Sequence, residues 1–516
     1  VDNQKSYVLP DGLAPSSLLD EIKKAYALTE AQSYSSEQNY YDTFDWRLYN
    51  KNLALFRDDS RYVLEDIDSG SALNFIKRKK NQRHSQFWWE YPESEFRDKL
   101  KSLLDVRALM PLVCINKRER VFNILNKDEK TVLRCVFEAG SLDCSGNTVQ
   151  LENRIKLCPV KGYRKIYKDL PLFLKDLGLL ADSNSRHVLF SALKIEGKIP
   201  SDYTSKIKVQ LVPDSSLREA AVIILKQLLH IMMQNEAGMK ADIDSEFLHD
   251  FRVSIRRTRS ALCQIKKIFP QEISCKFVKG FAHLGKLTNK MRDYDVCLLR
   301  KEKYMHMLPK ELRAGLVPFF AGVQARRKQE YAHLLKELNS ATYKKFLNSW
   351  QAFLDEAETL QSTKNSNKSA RKLAIEFINK RHKRIIQNGE AIDDETPDNE
   401  IHNVRIECKK LRYLMEFFAP LFDASPMQSL VTQLKMLQEN LGNFNDLSIQ
   451  INALNARLHK LPHKRASSIK TAAALGGLIA SLNNEKKIAR NNFDAAFHKF
   501  SGKSNMALFE KLLEQP

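Results

Sequence analysis

One segment of this 516-residue chain is written twice. Residues 248–269 read LHDFRVSIRRTRSALCQIKKIF and residues 401–422 read IHNVRIECKKLRYLMEFFAPLF. The two align without a gap at an offset of 153 residues. His249 falls on His402, Arg252 on Arg405, Arg256 and Arg257 on Lys409 and Lys410, Arg259 on Arg412, and Phe269 on Phe422. The register also holds outside the segment, with Gln234-Asn235 on Gln387-Asn388 and Arg292-Asp293 on Asn445-Asp446. Chance can match one basic cluster but not its flanks in the same register. The spacing therefore predicts two helical bundles related by pseudo-symmetry.

The repeated segment has helical period. Positions 248, 251, 255, 258, 262, 265 and 269 hold Leu, Phe, Ile, Thr, Leu, Ile and Phe. Their partners from 401 to 422 hold Ile, Val, Cys, Leu, Met, Phe and Phe. Such a three-four stripe faces a bundle core. The basic residues sit one step round. His249, Arg252, Arg256 and Arg259 share one face, as do His402, Arg405, Lys409 and Arg412. Rungs of like charge about 5–6 Å apart repel one another along a helix. A ligand of opposite charge relieves that cost, whereas a solvated face merely tolerates it.

The charge balance points the same way. The net charge is +21, of which residues 1–212 carry +5 and residues 213–516 carry +16. A basic excess in one half implies an anionic partner for that half. Convergent guanidinium forks suit phosphate oxygens, and a linear polyphosphate offers evenly repeated anions with no bases to read. Inorganic polyphosphate is thus the expected partner, with Arg257, Lys410, Lys286, Lys290 and Lys435 widening the site. Nucleic acid is the alternative, disfavoured because little aromatic interleaving is available to stack bases.

The two histidines suit metal ligation, phosphoryl acceptance or a structural place near a helix start. No Cys, Asp or Glu constellation accompanies them, so neither a metal nor a cofactor is expected. The eight cysteines form no C-x-x-C pair and mostly sit in apolar runs, which reads as buried thiols in a reducing compartment. With no signal-peptide pattern and no apolar run long enough to span a bilayer, the expectation is a cytoplasmic protein without membrane insertion.

Residues 1–212 have a different texture. Alternating runs predict strands at 53–57, 61–65, 73–77, 120–125, 131–137, 148–157 and 206–212. Helices are expected at 16–32, 94–107 and 163–179. The expected fold is an α+β domain with a mainly antiparallel sheet over 1–212, followed by an all-α domain over 213–516. The repeats of the latter run over about 216–360 and 367–500.

HDFRVSIRRTRS at 249–260, RDYDV at 292–296, HNVRIECKKLRY at 402–413 and LGNFNDL at 441–447 resemble the CHAD family, the conserved-histidine α-helical domains. The resemblance covers about residues 216–500. It implies two four-helix bundles around a basic cavity, polyphosphate binding, and association with polyphosphate granules. The pair Thr288-Asn289 stands where the second repeat has Leu441-Gly442, a departure expected in a turn.

YYDTFDWRL at 40–48 and NLALFR at 52–57 resemble the CYTH family, the triphosphate tunnel fold. That family's chemistry needs an E-x-E-x-K strand near the start, and here the chain reads VDNQKSYVL. Without paired acids a divalent ion has too few hard ligands. The expectation is a degenerate CYTH-like domain without catalytic residues, in which Arg57, Arg118 and Arg120 face the tunnel. Triphosphate or polyphosphate hydrolysis there is the third alternative.

Overall fold

The computed structural model describes residues 5–10, 12–77, 86–144, 146–163, 165–181, 188–393, 395–462 and 466–513. The chain forms two compact units, Val1–Thr204 and Ser205–Pro516.

The first unit is built on one antiparallel sheet. Its strands are β1 (Lys5–Val8), β2 (Leu28–Asp42), β3 (Leu53–Arg57), β4 (Arg61–Asp66), β5 (Ala72–Lys77), β6 (Met110–Leu125), β7 (Thr131–Cys144), β8 (Asn147–Gln150), β9 (Arg154–Pro159) and β10 (Leu180–Ala181). The spatial order is β10-β1-β9-β7-β6-β2-β3-β4-β5, with β8 paired to β7. Among the described residues four α-helices pack on it: α1 (Pro15–Ala25), α2 (Glu95–Leu104), α3 (Ile166–Asp176) and α4 (Val188–Ile195). Alternation sends Leu53, Leu55, Tyr62 and Leu64 toward α2, and Ala54, Phe56 and Val63 toward the side where Leu189 and Leu193 of α4 pack.

Two expectations fail here. The helix predicted over 16–32 ends at Ala25, and Leu28–Asp42 is the long strand β2, paired with β6 from Leu28↔Ile124 to Asp42↔Met110. Its first half, LTEAQSYSS, is polar and exposed, so no apolar alternation marks it. The ladder to a distant strand decides its conformation instead. Residues 206–212 alternate in sequence but form no strand.

The second unit is helical: α5 (Leu217–Lys240), α6 (Ser245–Gln264), α7 (Gln271–Leu287), α8 (Asn289–Leu299), α9 (Lys301–His306), α10 (Lys310–Arg313), α11 (Val317–Leu338), α12 (Ala341–Glu356), α13 (Ala370–Glu390), α14 (Asp398–Phe418), α15 (Ala424–Leu458), α16 (Ala466–Asn491), α17 (Phe493–Ser501) and α18 (Lys503–Leu513). Helix starts follow local chemistry. Ser216 accepts from Glu219 N–H while Glu219 takes the Ser216 N–H, a capping box that begins α5. The Asp244 carboxylate accepts from the N–H groups of Glu246 and Phe247 and begins α6.

The repeat is visible in space as a pseudo-dyad. Helix α5 packs on α13 and α6 on α14, each helix meeting its own copy. At the helix starts Ser216 pairs with Ser369, residues that the same 153-residue offset relates. The flanking bonds are symmetric too: Leu217 N–H donates to Lys368 C=O at 2.8 Å, and Ala370 N–H to Ser215 C=O at 3.0 Å. The Thr288 expectation needs correction. Thr288 separates α7 from α8, whereas Leu441-Gly442 lies within the unbroken α15.

Close helix approach sets one sharp test. A Cβ at Gly238 of α5 would lie 2.3 Å from the buried Phe247 ring of α6. Gly238→Ala should therefore destabilise the helical unit by about 1–3 kcal/mol through overpacking. Chemical denaturation followed by helical circular dichroism checks this; an unchanged transition contradicts the packing described.

Candidate functional site

All fourteen stripe positions, 248 to 269 on and beyond α6 and 401 to 422 on and beyond α14, are buried. That fixes the rotation of both helices and leaves the rail residues half-buried at the margin of the core, apart from His402, which is exposed. On α6, Arg252 is held by Gly285 C=O at 3.2 Å, Thr288 Oγ1 at 2.7 Å and Asn289 Oδ1 at 2.7 Å. The break between α7 and α8 supplies these acceptors. Arg252, Arg256, Arg259, Ala282, Gly285, Lys286 and Asn289 line a cavity of about 130 Å³. The Nε–H groups of Arg252, Arg256 and Arg259 find no acceptor on the protein among the described residues.

On α14, Arg405 reaches Asp446 of α15 at 3.5 Å, and His402 Nδ1 donates to Asn445 Oδ1 at 2.5 Å. The Asn445 amide nitrogen donates to Asp446 at 3.4 Å, which sets the orientation of the amide. The same offset places Arg292 and Asp293 beside His249 and Arg252 in the first repeat. There the amide is replaced by an arginine, so the two histidines differ. Burial first, then Arg292, Arg256 and Arg252, pushes His249 down to about 3, despite Asp250. His249 is therefore neutral at neutral pH. His402 is held within its own repeat, and the charges acting on His249 are likewise those of its own repeat.

The two rails meet through Arg256. Burial first, then Arg405 and Arg256, pushes Lys409 down to about 8. Burial lowers Arg405 as well, with Arg256 adding to it and Asp446 opposing. Burial and Arg256 push Arg252 down to about 10. Cations from opposite repeats thus share one field, and the seam between α6 and α14 is strongly positive.

Not every candidate joins it. Arg257 is buried and pairs with Glu416 at 2.8 Å across the bundle interface. Lys410 pairs with Glu407 at 2.7 Å, which also holds Arg381 at 2.5 Å. It lines a separate, mixed-charge cavity of about 420 Å³ with Arg384, Glu400 and Glu407. Lys290 turns to Glu330 at 3.2 Å. Lys286 does line the cavity that α6 forms with α7 and α8 inside the first repeat, and Lys435 is half-buried on α15. Arg412 is partly answered by Glu416 at 3.8 Å. Sequence reading missed Thr288, Asn289 and Asn445 as positioning groups, although the offset had already aligned Asn445 with Arg292.

In the first unit a charged cluster occupies the sheet face shared by Val113, Ile115 and Leu142. Lys117 lies 2.6 Å from Glu119 and 2.7 Å from Glu138, and Lys156 lies 2.9 Å from Glu138. Burial alone would raise Glu138, but Lys117 and Lys156 hold it well below the carboxylate range. These acids are neutralised by lysines. Arg118 is exposed and Arg120 pairs with Glu30 at 2.8 Å on the opposite face, so neither faces the cluster. Among the described residues no group of three or more His, Cys, Asp or Glu is placed to hold a metal ion. The cysteines are free, with Cys135 and Cys408 buried, but Cys114, Cys263 and Cys275 exposed rather than buried. No described helix is long and apolar enough to cross a membrane.

The fold and the site together define a pseudo-dyadic helical unit with cations of both repeats gathered near its dyad. Residues 223–455, from α5 into α15, match the family model of the CHAD domain. Among solved structures, the crystal structure of the CHAD domain from the plant Ricinus communis is similar at 24% identity and TM-score 0.48, covering 57% of this chain and 95% of that one. PptA from Streptomyces chartreusis is similar at 16% identity and TM-score 0.44, covering 55% of this chain and all of that one, 100%. No curated protein matches the chain.

The low value at Lys409 gives a test with two signs. Its unfolded value is near 10.4, so the unfolded chain binds more protons between about 8 and that value. Stability from this group rises with pH through that window and is lost as pH falls through about 8. Anion affinity runs the other way, because Lys409 loses its charge above about 8. Affinity for tripolyphosphate should fall between pH 7 and 9, and Lys409→Arg should flatten that fall. An identical pH profile in the variant contradicts the assignment.

Proposed function

We propose that the helical unit binds inorganic polyphosphate along the seam where its two cationic rails meet, and that this binding carries the protein to polyphosphate granules. One observation carries the reading: α6 and α14, which bear the two rails, pack against each other, and Arg256 of one lowers both Arg405 and Lys409 of the other. Isolated, such a set is costly. Threaded by a chain of phosphates, each guanidinium gains a charge-assisted bond in a partly desolvated place. Polyphosphate needs no recognition of bases. Consistent with this, the helical unit leaves no exposed Phe, Tyr or Trp ring among its described residues, since Tyr34, Phe75 and Trp89 all belong to the first unit. Nucleic-acid binders that track single strands rely on such rings.

The first unit we read as a degenerate CYTH-like domain that scaffolds rather than catalyses. Its central acids are engaged by Lys117 and Lys156 instead of being free for a divalent ion.

The test is a quadruple variant, Arg252→Ala, Arg256→Ala, Arg405→Ala and Lys409→Ala. At about 1.5–3 kcal/mol per charged hydrogen bond, affinity for long-chain polyphosphate should drop at least about 100-fold. Unchanged affinity contradicts the proposal. Displacement of polyphosphate by RNA or duplex DNA at physiological salt favours the nucleic-acid reading instead.

A further inference from the structure

The repeated rails do not account for every unneutralised cation in the helical unit. Gly322 of α11 leaves a gap at which a Cβ would stand 3.6 Å from an Nη of Arg457 and 3.7 Å from an Nη of Arg326. The two guanidinium groups therefore lie no further apart than the sum of those distances. One comes from α11 of the first repeat and the other from α15 of the second. Neither makes an ion pair with a carboxylate among the described residues, and Arg457 Nε is enclosed without an acceptor. Burial and Arg326 together hold Arg457 below its ordinary value, with no acid opposing.

This pair is connected to the seam. Asp446, which meets Arg405 at 3.5 Å, also reaches Arg300 at 3.8 Å. Cys297 of α8 feels both Arg300 and Arg326. Burial nonetheless pushes its thiol up to about 11, so it supplies no counter-charge at neutral pH. From Asp446 to Arg457 the helix α15 rises by about 16 Å. The cations thus run on from Arg405 through Arg300 to Arg326 and Arg457. The offset that duplicates the rails does not duplicate these positions: it carries Arg300 onto Ala453 and Arg326 onto Ile479, and Tyr304 onto Arg457.

We infer that the seam continues on one side only, into an Arg300–Arg326–Arg457 extension that holds the onward phosphates of a long linear polyphosphate. This rests on the polyphosphate reading above and adds direction and length selectivity to it. A short anion occupies the rails alone. A long one leaves them toward α11 and the end of α15, because past Arg300, which shares Asp446 with Arg405, the positive charge continues in Arg326 and Arg457 without a carboxylate partner among the described residues.

The experiment compares tripolyphosphate and long-chain polyphosphate, by calorimetric titration of the full chain. Arg326→Ala combined with Arg457→Ala should weaken long-chain binding about tenfold or more and leave tripolyphosphate binding as it was. The rail variant should weaken both. Long-chain affinity unchanged in R326A/R457A, with the rail variant still defective, overturns the extension and spares the polyphosphate reading. Unchanged affinity in both variants overturns that reading itself. Equal loss for short and long anions in R326A/R457A also overturns the extension; the charge-retaining R326K/R457K, expected to keep long-chain binding, separates such a loss from misfolding.

Discussion

Arg256 repels Arg405 and Lys409 of the other repeat, and that repulsion has to be overcome by packing elsewhere. The helical unit does this with two buried stripes and with symmetric joints between the repeats. The Ser216–Ser369 bridge ties the starts of α5 and α13. Arg257–Glu416 and the bond from Gln264 to Lys410 C=O tie α6 to α14. These contacts fix the rails at a distance where repulsion is felt and solvent is partly excluded. On the proposed reading such a site is pre-organised: its electrostatic cost is met on folding and would be recovered on anion entry.

Much of this was legible in the sequence because helices obey a local period. The stripe 248 to 269 and its copy could be read residue by residue, since a three-four spacing fixes which side chains are buried together. The offset of 153 residues then related the two rails without any structural knowledge. It could not say that Arg257 and Lys410 are engaged elsewhere. Each sits one position from a rail residue, and the acid partner of Arg257 is Glu416, in the other repeat. Long-range ion pairs leave no local signature. For the same reason Arg326 and Arg457 drew no attention, standing far apart in sequence and outside the duplicated pattern.

The strand β2 shows the complementary failure. Polar, exposed residues carry no period to read, and its partner β6 lies some 80 residues away. Sheet pairing there is a tertiary decision. By contrast β3 and β4 are a short local hairpin with buried alternation on both faces, and their limits are plain in the sequence.

Whether the two rails hold one anion is the claim on which the functional account stands, and a double-mutant cycle measures it directly. Long-chain polyphosphate affinity would be determined for Arg256→Ala, Arg405→Ala and the pair. If one phosphate chain bridges both, the losses should be non-additive by about 0.5–3 kcal/mol, whereas independent sites add to within about 0.3–0.5 kcal/mol. Additive losses would mean that each repeat binds separately and that the seam is not a shared site.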